Sequence, residues 1–277
     1  MNQSKIEIAG VCAKIVCQDK EFVLGIDEQY RNYQSTAKED FVFYVDSEVQ
    51  PFQIPDVSEG FDYGEQNVVI IPGKWKYSIV LDKDRQIKLG SIDIMGAKVH
   101  LHLFPGLEIG SYFHLVFMYS IRHFLSYQNG LLLHASGLVR EGKGFVFCGP
   151  DESGKSTIAN MAPASLIAAD DSLAVRMVNG ACWLHTVPWG RRDSKNVSAP
   201  IAKLFFLHQA QELEVREMAL IEAVKHFLAN TFFDTSDELI YARTLDTVQY
   251  LAQQISCYEL YFPLTGDYMD ALLSSQR

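Results

Sequence analysis

The chain has 277 residues, 48% of them apolar and 12% aromatic, so it can bury a sizeable core as one large domain or two and is not a disordered protein. With 24 basic residues against 34 acidic ones, a net charge of −10 and Arg191-Arg192 as the sole adjacent arginine pair, nucleic acid is excluded as an expected partner, because neutralising phosphates takes clustered Lys and Arg. The five cysteines form no C-x-x-C and cannot all pair, the opening Met-Asn-Gln-Ser-Lys-Ile-Glu-Ile lacks the apolar core of a signal peptide, and no uninterrupted apolar span reaches transmembrane length, so a cytoplasmic protein with no membrane partner is expected.

Residues 5–110 read as short β segments between polar turns: Ile6–Val16, Glu21–Ile26, Phe41–Val45, Val68–Ile71, Trp75–Leu81, Ser91–Met95 and Lys98–Phe104. Breaks at Pro51, Pro55, Gly60, Gly64 and Pro72-Gly73 mark loops, and Asp62–Gln66 is the expected mobile stretch. From Ser111 to Tyr127 the spacing turns helical, with Phe113, Val116, Phe117, Ser120, Ile121, Phe124 and Leu125 on one stripe before Asn129-Gly130. A strand Leu131–Val139, a turn at Glu141–Gly144 and a strand Phe145–Cys148 follow, then a glycine-rich loop, a helix from Lys155 to Ala162, and a strand Leu166–Ala169 ending in Asp170-Asp171. A hairpin, Leu173–Val178 with Cys182–His185 around Asn179-Gly180, leads to a loop at Pro188-Trp189-Gly190 and a strand Ile201–His208. Helices over Met218–Phe232 and Asp237–Ile255, a strand Cys257–Phe262 and a short helix Thr265–Leu273 complete the chain. The pattern predicts two domains, a β-rich N-terminal one over 1–110 and an α/β nucleotide domain over 111–277.

The string Phe-Val-Phe-Cys-Gly-Pro-Asp-Glu-Ser-Gly-Lys-Ser-Thr at 145–157 is an apolar strand running into G-x-x-x-x-G-K-S, with no helix breaker until Pro163. Such a loop holds the phosphates of a nucleotide triphosphate. Its glycines permit backbone conformations that aim successive N–H groups at anionic oxygens, Lys155 places a cation on the β/γ-phosphates, and the Ser156 hydroxyl reaches a magnesium ion. A glycine turn without a ligand is the alternative. The nucleotide loop comprises Gly149, Pro150, Asp151, Glu152, Ser153, Gly154, Lys155, Ser156 and Thr157, and its two acids are compatible with phosphate only when their side chains face away.

Phosphoryl transfer to a hydroxyl needs a carboxylate for the metal and a group to take the proton. Asp170 and Asp171 offer both, at the end of a strand expected to lie beside the loop's strand, and as neighbours they are expected to point in different directions. A solvated Asp-Asp turn is the other reading. If residues 131–139 and 145–148 pair around a turn centred between Gly142 and Lys143, His134 falls opposite Asp151, as a phosphate donor, as the partner of an aspartate, or as an ordinary hydrogen-bonded core histidine. His100 and His102 share one strand face and read as a polar face without a third metal ligand, while Trp189 with Arg191 and Arg192 reads as an acceptor contact or a solvated loop.

The order L-L-L-H-A-S-G (131–137), F-V-F-C-G-P-D-E-S-G-K-S-T (145–157) and A-A-D-D (168–171) resembles the kinase domain of the HPr kinase/phosphorylase family, related to phosphoenolpyruvate carboxykinases. The V-P-W-G and L-F-F-L-H-Q segments resemble the HPr-kinase-like serine kinases, some of which phosphorylate small ribosomal peptides. The resemblance covers roughly residues 110–265. It implies an α/β P-loop fold of the HPr kinase/PEP carboxykinase type, ATP and Mg2+ as cofactors, Ser156, Asp170 and Asp171 as magnesium ligands, one of these aspartates as general base, Lys155 as a catalytic cation, His134 as a supporting site residue, and an oligomer. The family's later glycine-rich signature is absent from this sequence, which argues against HPr itself as the acceptor. The expected function is a Mg/ATP-dependent kinase transferring the γ-phosphate to a hydroxyl, that of a serine in a protein or peptide, or of a small molecule. The alternatives are a regulatory nucleotide-binding protein that has lost transfer and, ranked last for want of a carboxylate-binding arginine cluster, a carboxykinase-like enzyme acting on an oxoacid.

Overall fold

The computed structural model describes residues 1–46, 61–62, 68–72, 77–82, 87–103, 109–163, 166–189, 195–232, 238–266 and 268–273. Pro51, Pro55, Gly60, Gly64, Gly73, Trp75, Arg191 and Arg192, and with them the stretch after Asp62, lie outside them. The architecture is mixed α/β, in two compact units: residues 1–124 with 235–238, and residues 125–234 with 239–277. No helix among the described residues is long and apolar enough to cross a membrane.

In the first unit the run expected as one strand, Ile6–Val16, is a hairpin of β1 (Asn2–Ile8) and β2 (Val11–Cys17), turning at Ala9-Gly10. The strand expected over Glu21–Ile26 is instead the helix α1 (Lys20–Gln29). Its β-prone residues are overridden by a capping signal. The Asp19 carboxylate accepts from the Phe22 N–H at 3.1 Å, Glu21 sits in the first turn, and Val23, Ile26 and Tyr30 then bury at helical spacing. Next come β3 (Phe41–Asp46), β4 (Phe61–Asp62), β5 (Val68–Pro72), β6 (Tyr77–Asp82), β7 (Ile87–Met95) and β8 (Lys98–Leu103), in the order β1-β2-β3-β8-β7-β6-β5-β4. Helix α2 (Ile109–Ser126) lays Phe113, Phe117 and Phe124 on this sheet: Phe124 stacks on Phe41 at 4.0 Å, and Phe113 and Phe117 meet Phe43 and Tyr30 edge to face.

The second unit contains β9 (Gly130–Leu133), β10 (Ala135–Arg140), β11 (Lys143–Cys148), α3 (Lys155–Met161), β12 (Ile167–Ala169), β13 (Leu173–Val178), β14 (Ala181–Thr186), β15 (Ser198–Gln209), β16 (Glu214–Glu217), α4 (Leu220–Ala229), α5 (Glu238–Gln254), β17 (Cys257–Phe262) and α6 (Met269–Leu273). The expected strand Leu131–Val139 breaks at His134: β9 pairs with β13, whereas β10 pairs with β11 and β12. The β10–β11 turn is Glu141-Gly142, both at positive φ (51° and 73°), the two-residue geometry whose twist matches a hairpin. β15 is parallel to both β11 and β17, and its first residues pair with β14. Alternation along β11 splits the packing into two layers. Val146 and Cys148 face Ala223 and Phe227 of α4 and Val248 and Leu251 of α5, while Phe145 and Phe147 share the opposite core with Ile158 of α3 and Leu272 of α6. All five cysteines are free thiols and buried, and Cys148, Cys182 and Cys257 share the α4–α5 core.

His185 on β14 is buried, with Nδ1 2.8 Å from Ser198 Oγ. Burial, assisted by the Arg176 charge, pulls its pKa from 6.5 down to about 4. Between those values the folded protein keeps the ring neutral while the unfolded chain binds a proton, so stability falls as pH falls through the window, by up to ~3 kcal/mol. Urea denaturation above pH 6.5 and near pH 4 is expected to show a smaller loss in His185→Gln than in the wild type.

Candidate active site

β11 ends at the fully buried Cys148, and the loop Gly149–Gly154 carries the chain into α3. Packing fixes both glycines. A Cβ on Gly149 would fall on Ser153 Oγ, and one on Gly154, where φ is 101°, would lie 2.7 Å from Phe262 Cζ. Ser153 folds inward, its N–H donating to the Pro150 carbonyl at 3.2 Å, and the Glu152 carbonyl accepts from the Gln209 amide. Lys155 is buried, with Nζ donating to the Gly149 and Pro150 carbonyls at 2.7 and 2.8 Å. Burial lowers its pKa from the usual lysine value, with Asp151, Asp171, Cys148 and Asp170 pulling the other way. The Asp151 and Glu152 side chains are exposed, and Thr157 is half-buried on α3.

The aspartates arrive from β12, which lies next to β10 and not beside β11 as the sequence led us to expect. Being antiparallel to β10, which is antiparallel to β11, β12 still delivers its carboxyl end to the loop's edge of the sheet. Asp170 Oδ1 accepts from two hydroxyls, Ser136 Oγ on β10 at 3.1 Å and Ser156 Oγ on α3 at 3.2 Å. Asp171 follows at φ 79°, a left-handed conformation that a non-glycine residue adopts only under local constraint, and its carboxylate lies 3.5 Å from His134 Nδ1.

His134 stands at the break between β9 and β10, its N–H donating to the Asn230 carbonyl at 2.8 Å and its ring meeting Phe232 edge-on. The observed hairpin register is two residues off the expected one: Ala135 pairs with Cys148, which puts His134 level with Gly149 rather than Asp151. The ring nevertheless reaches the Asp151 carboxylate, Nε2 to Oδ1 at 3.0 Å, and so bridges the loop tip and Asp171. His134, Asp151, Lys155, Ser156, Asp170 and Asp171 are therefore gathered at one sheet edge. Ser136, Gln209 and the α4 end at Asn230–Phe232 belong to the same region but were not singled out from sequence. For Ser136 the signal was its two-residue spacing from His134.

His100 stacks between Tyr44 and His102, and His102 lies 3.9 Å from Asp46; among the described residues no group of three or more His, Cys, Asp or Glu is arranged to hold a metal ion. Trp189 is half-buried, while Arg191 and Arg192 lie outside the described residues.

A positive-φ glycine with a wall beside it should tolerate substitution less well than one in the open. Gly142 has no atom within 4 Å of a Cβ, so Gly142→Ala is expected to cost about 1 kcal/mol from backbone conformation alone, and Gly154→Ala ~2–3 kcal/mol, as read by urea denaturation.

No family model and no curated protein matches the chain. Among solved structures, the HPr(Ser) kinase/phosphatase from Coxiella burnetii is similar over 51% of this chain and 85% of its own, with 14% sequence identity and a TM-score of 0.30, a likeness that carries no argument about function.

Proposed function

We propose that the chain is a Mg/ATP-dependent phosphotransferase whose acceptor is a hydroxyl, that of a serine in a protein or peptide, with an α/β nucleotide domain of the HPr kinase type. The observation that supports this best is the 3.2 Å contact between Ser156 of the G-K-S motif and Asp170, brought together from separate elements. Hydroxyl and carboxylate oxygens are the donors that magnesium selects, so these residues fit the ion, which when bound would neutralise phosphate charge.

The Gly149–Gly154 amides and Lys155 would hold the phosphate oxygens, Lys155 exchanging its loop carbonyls for them. Ser136 fixes Asp170 on the Ser156 side, leaving Asp171 to act as base with His134 orienting it. The acceptor O–H proton passes to the Asp171 carboxylate as the oxygen bonds to the γ-phosphorus and the bond to the β–γ bridging oxygen breaks, releasing ADP. One observation favours the second reading, a regulatory nucleotide-binding protein without transfer: Asp151 and Glu152 put two exposed carboxylates at the tip of a loop meant for anions.

At a hundred times its dissociation constant, Mg·ATP should stabilise the wild type by about 2.7 kcal/mol, read as a rise in melting temperature that Lys155→Ala loses. Asp171→Asn is expected to keep that rise while lowering γ-phosphate transfer to serine peptides ~10²–10⁴-fold. A thermal shift in a wild type that transfers nothing to a serine-peptide library would select the regulatory reading, and no shift would remove both.

A further inference from the structure

β16 is an edge of the second sheet: among the described residues it pairs with β17 alone. Its residues Glu214, Val215, Arg216 and Glu217 are all exposed, Val215 at 45%, and the preceding Leu213 at 40%. Charges on an edge strand ordinarily deter pairing. Here they are arranged so that one particular strand fits.

The ladder decides which backbone groups are free. The Met218 N–H donates to the Cys257 carbonyl, in register with the β16–β17 pairs. Hydrogen-bonded and non-bonded pairs alternate along an antiparallel ladder, so the backbone groups of Glu214 and Arg216 turn towards β17, and those of Val215 and Glu217 turn outward.

Residues paired across an antiparallel ladder share this parity, so a twofold axis relating two copies of β16 must pass through a residue and not between two. An axis through Glu214, Arg216 or Glu217 sets that charge against its own copy. An axis through Leu213 sets Glu212 against Glu214. Of the axes through β16 itself, the one through Val215 alone avoids like charges: Val215 meets Val215, each Glu214 faces the other copy's Arg216, and the outward N–H and C=O groups of Val215 find partners. Within one copy Arg216 is held by Glu214 at 2.6 and 2.7 Å and lies over the Tyr261 ring at 4.6 Å, so its guanidinium already stands on the face that the exchange of ion pairs uses.

We propose that β16 joins the β16 of a second copy of this chain in an antiparallel pairing centred on Val215, making one continuous sheet through a twofold dimer.

Sedimentation equilibrium of the full chain over a concentration series tests this, with melting temperature as the control for folding. The wild type is expected to approach twice the chain mass. Arg216→Glu and Glu214→Arg each set like charges against each other twice and should weaken dimerisation about tenfold or more, and the two combined should restore it. Val215→Lys places two cations on the axis and probes the same register without touching the ion pair, should a charge reversal impair folding. A wild type at single-chain mass throughout the series overturns the proposal. So does a dimer indifferent to the single reversals and to Val215→Lys, or a double reversal that fails to restore association.

Discussion

The carboxyl edge of the second sheet depends on one hydrogen bond, from the His134 N–H to the carbonyl of Asn230. It sits where an apolar run divides into β9 and β10, and the end of α4 fastens the break from both sides, with the Phe232 N–H donating to the Leu132 carbonyl and Leu133 bridging Thr231. Were residues 131–139 one strand, they could follow only one set of neighbours. Divided, they supply β9 to β13 and β10 to β11 and β12, and leave the His134 ring between the loop tip and the aspartates. Helix packing on one face of the sheet thereby fixes the polar geometry at its edge.

Within that frame the two aspartates occupy different chemical surroundings. Asp170 is held by two hydroxyls from two elements, whereas Asp171 is largely exposed and touches only an imidazole among the contacts described. The sequence-based reason for this divergence was strand alternation. The structural reason is the left-handed backbone at Asp171, beyond the end of β12, which turns one carboxylate away from its neighbour. The outcome was legible from the pair D-D after an apolar run, and the cause was not.

Other features divide in the same way between local and non-local causes. The G-x-x-x-x-G-K-S string carried its strand, loop and helix within residues 145–162, and Asn179-Gly180 carried its hairpin, because turn chemistry acts within a few bonds. The Glu21–Ile26 segment misled because β-prone side chains concealed a capping aspartate immediately before them. The position of β12 beyond β10, and the two-residue offset in the β10–β11 register, rest on pairings between distant segments that no local pattern encodes. β16 escaped notice because its Glu-Val-Arg-Glu has no buried face to leave a period in the sequence.

The three thiols packed between the sheet and α4–α5 have a use of their own. Burial raises the pKa of each, Cys182 to about 11, Cys257 to about 12 and Cys148 further still, so none is a nucleophile while the core is closed. Cys12 and Cys17 are likewise buried in the first unit. Alkylation at each site therefore proceeds only through opening of the surrounding core, and identifying the labelled peptides would time the breathing of the two units separately in an unaltered chain.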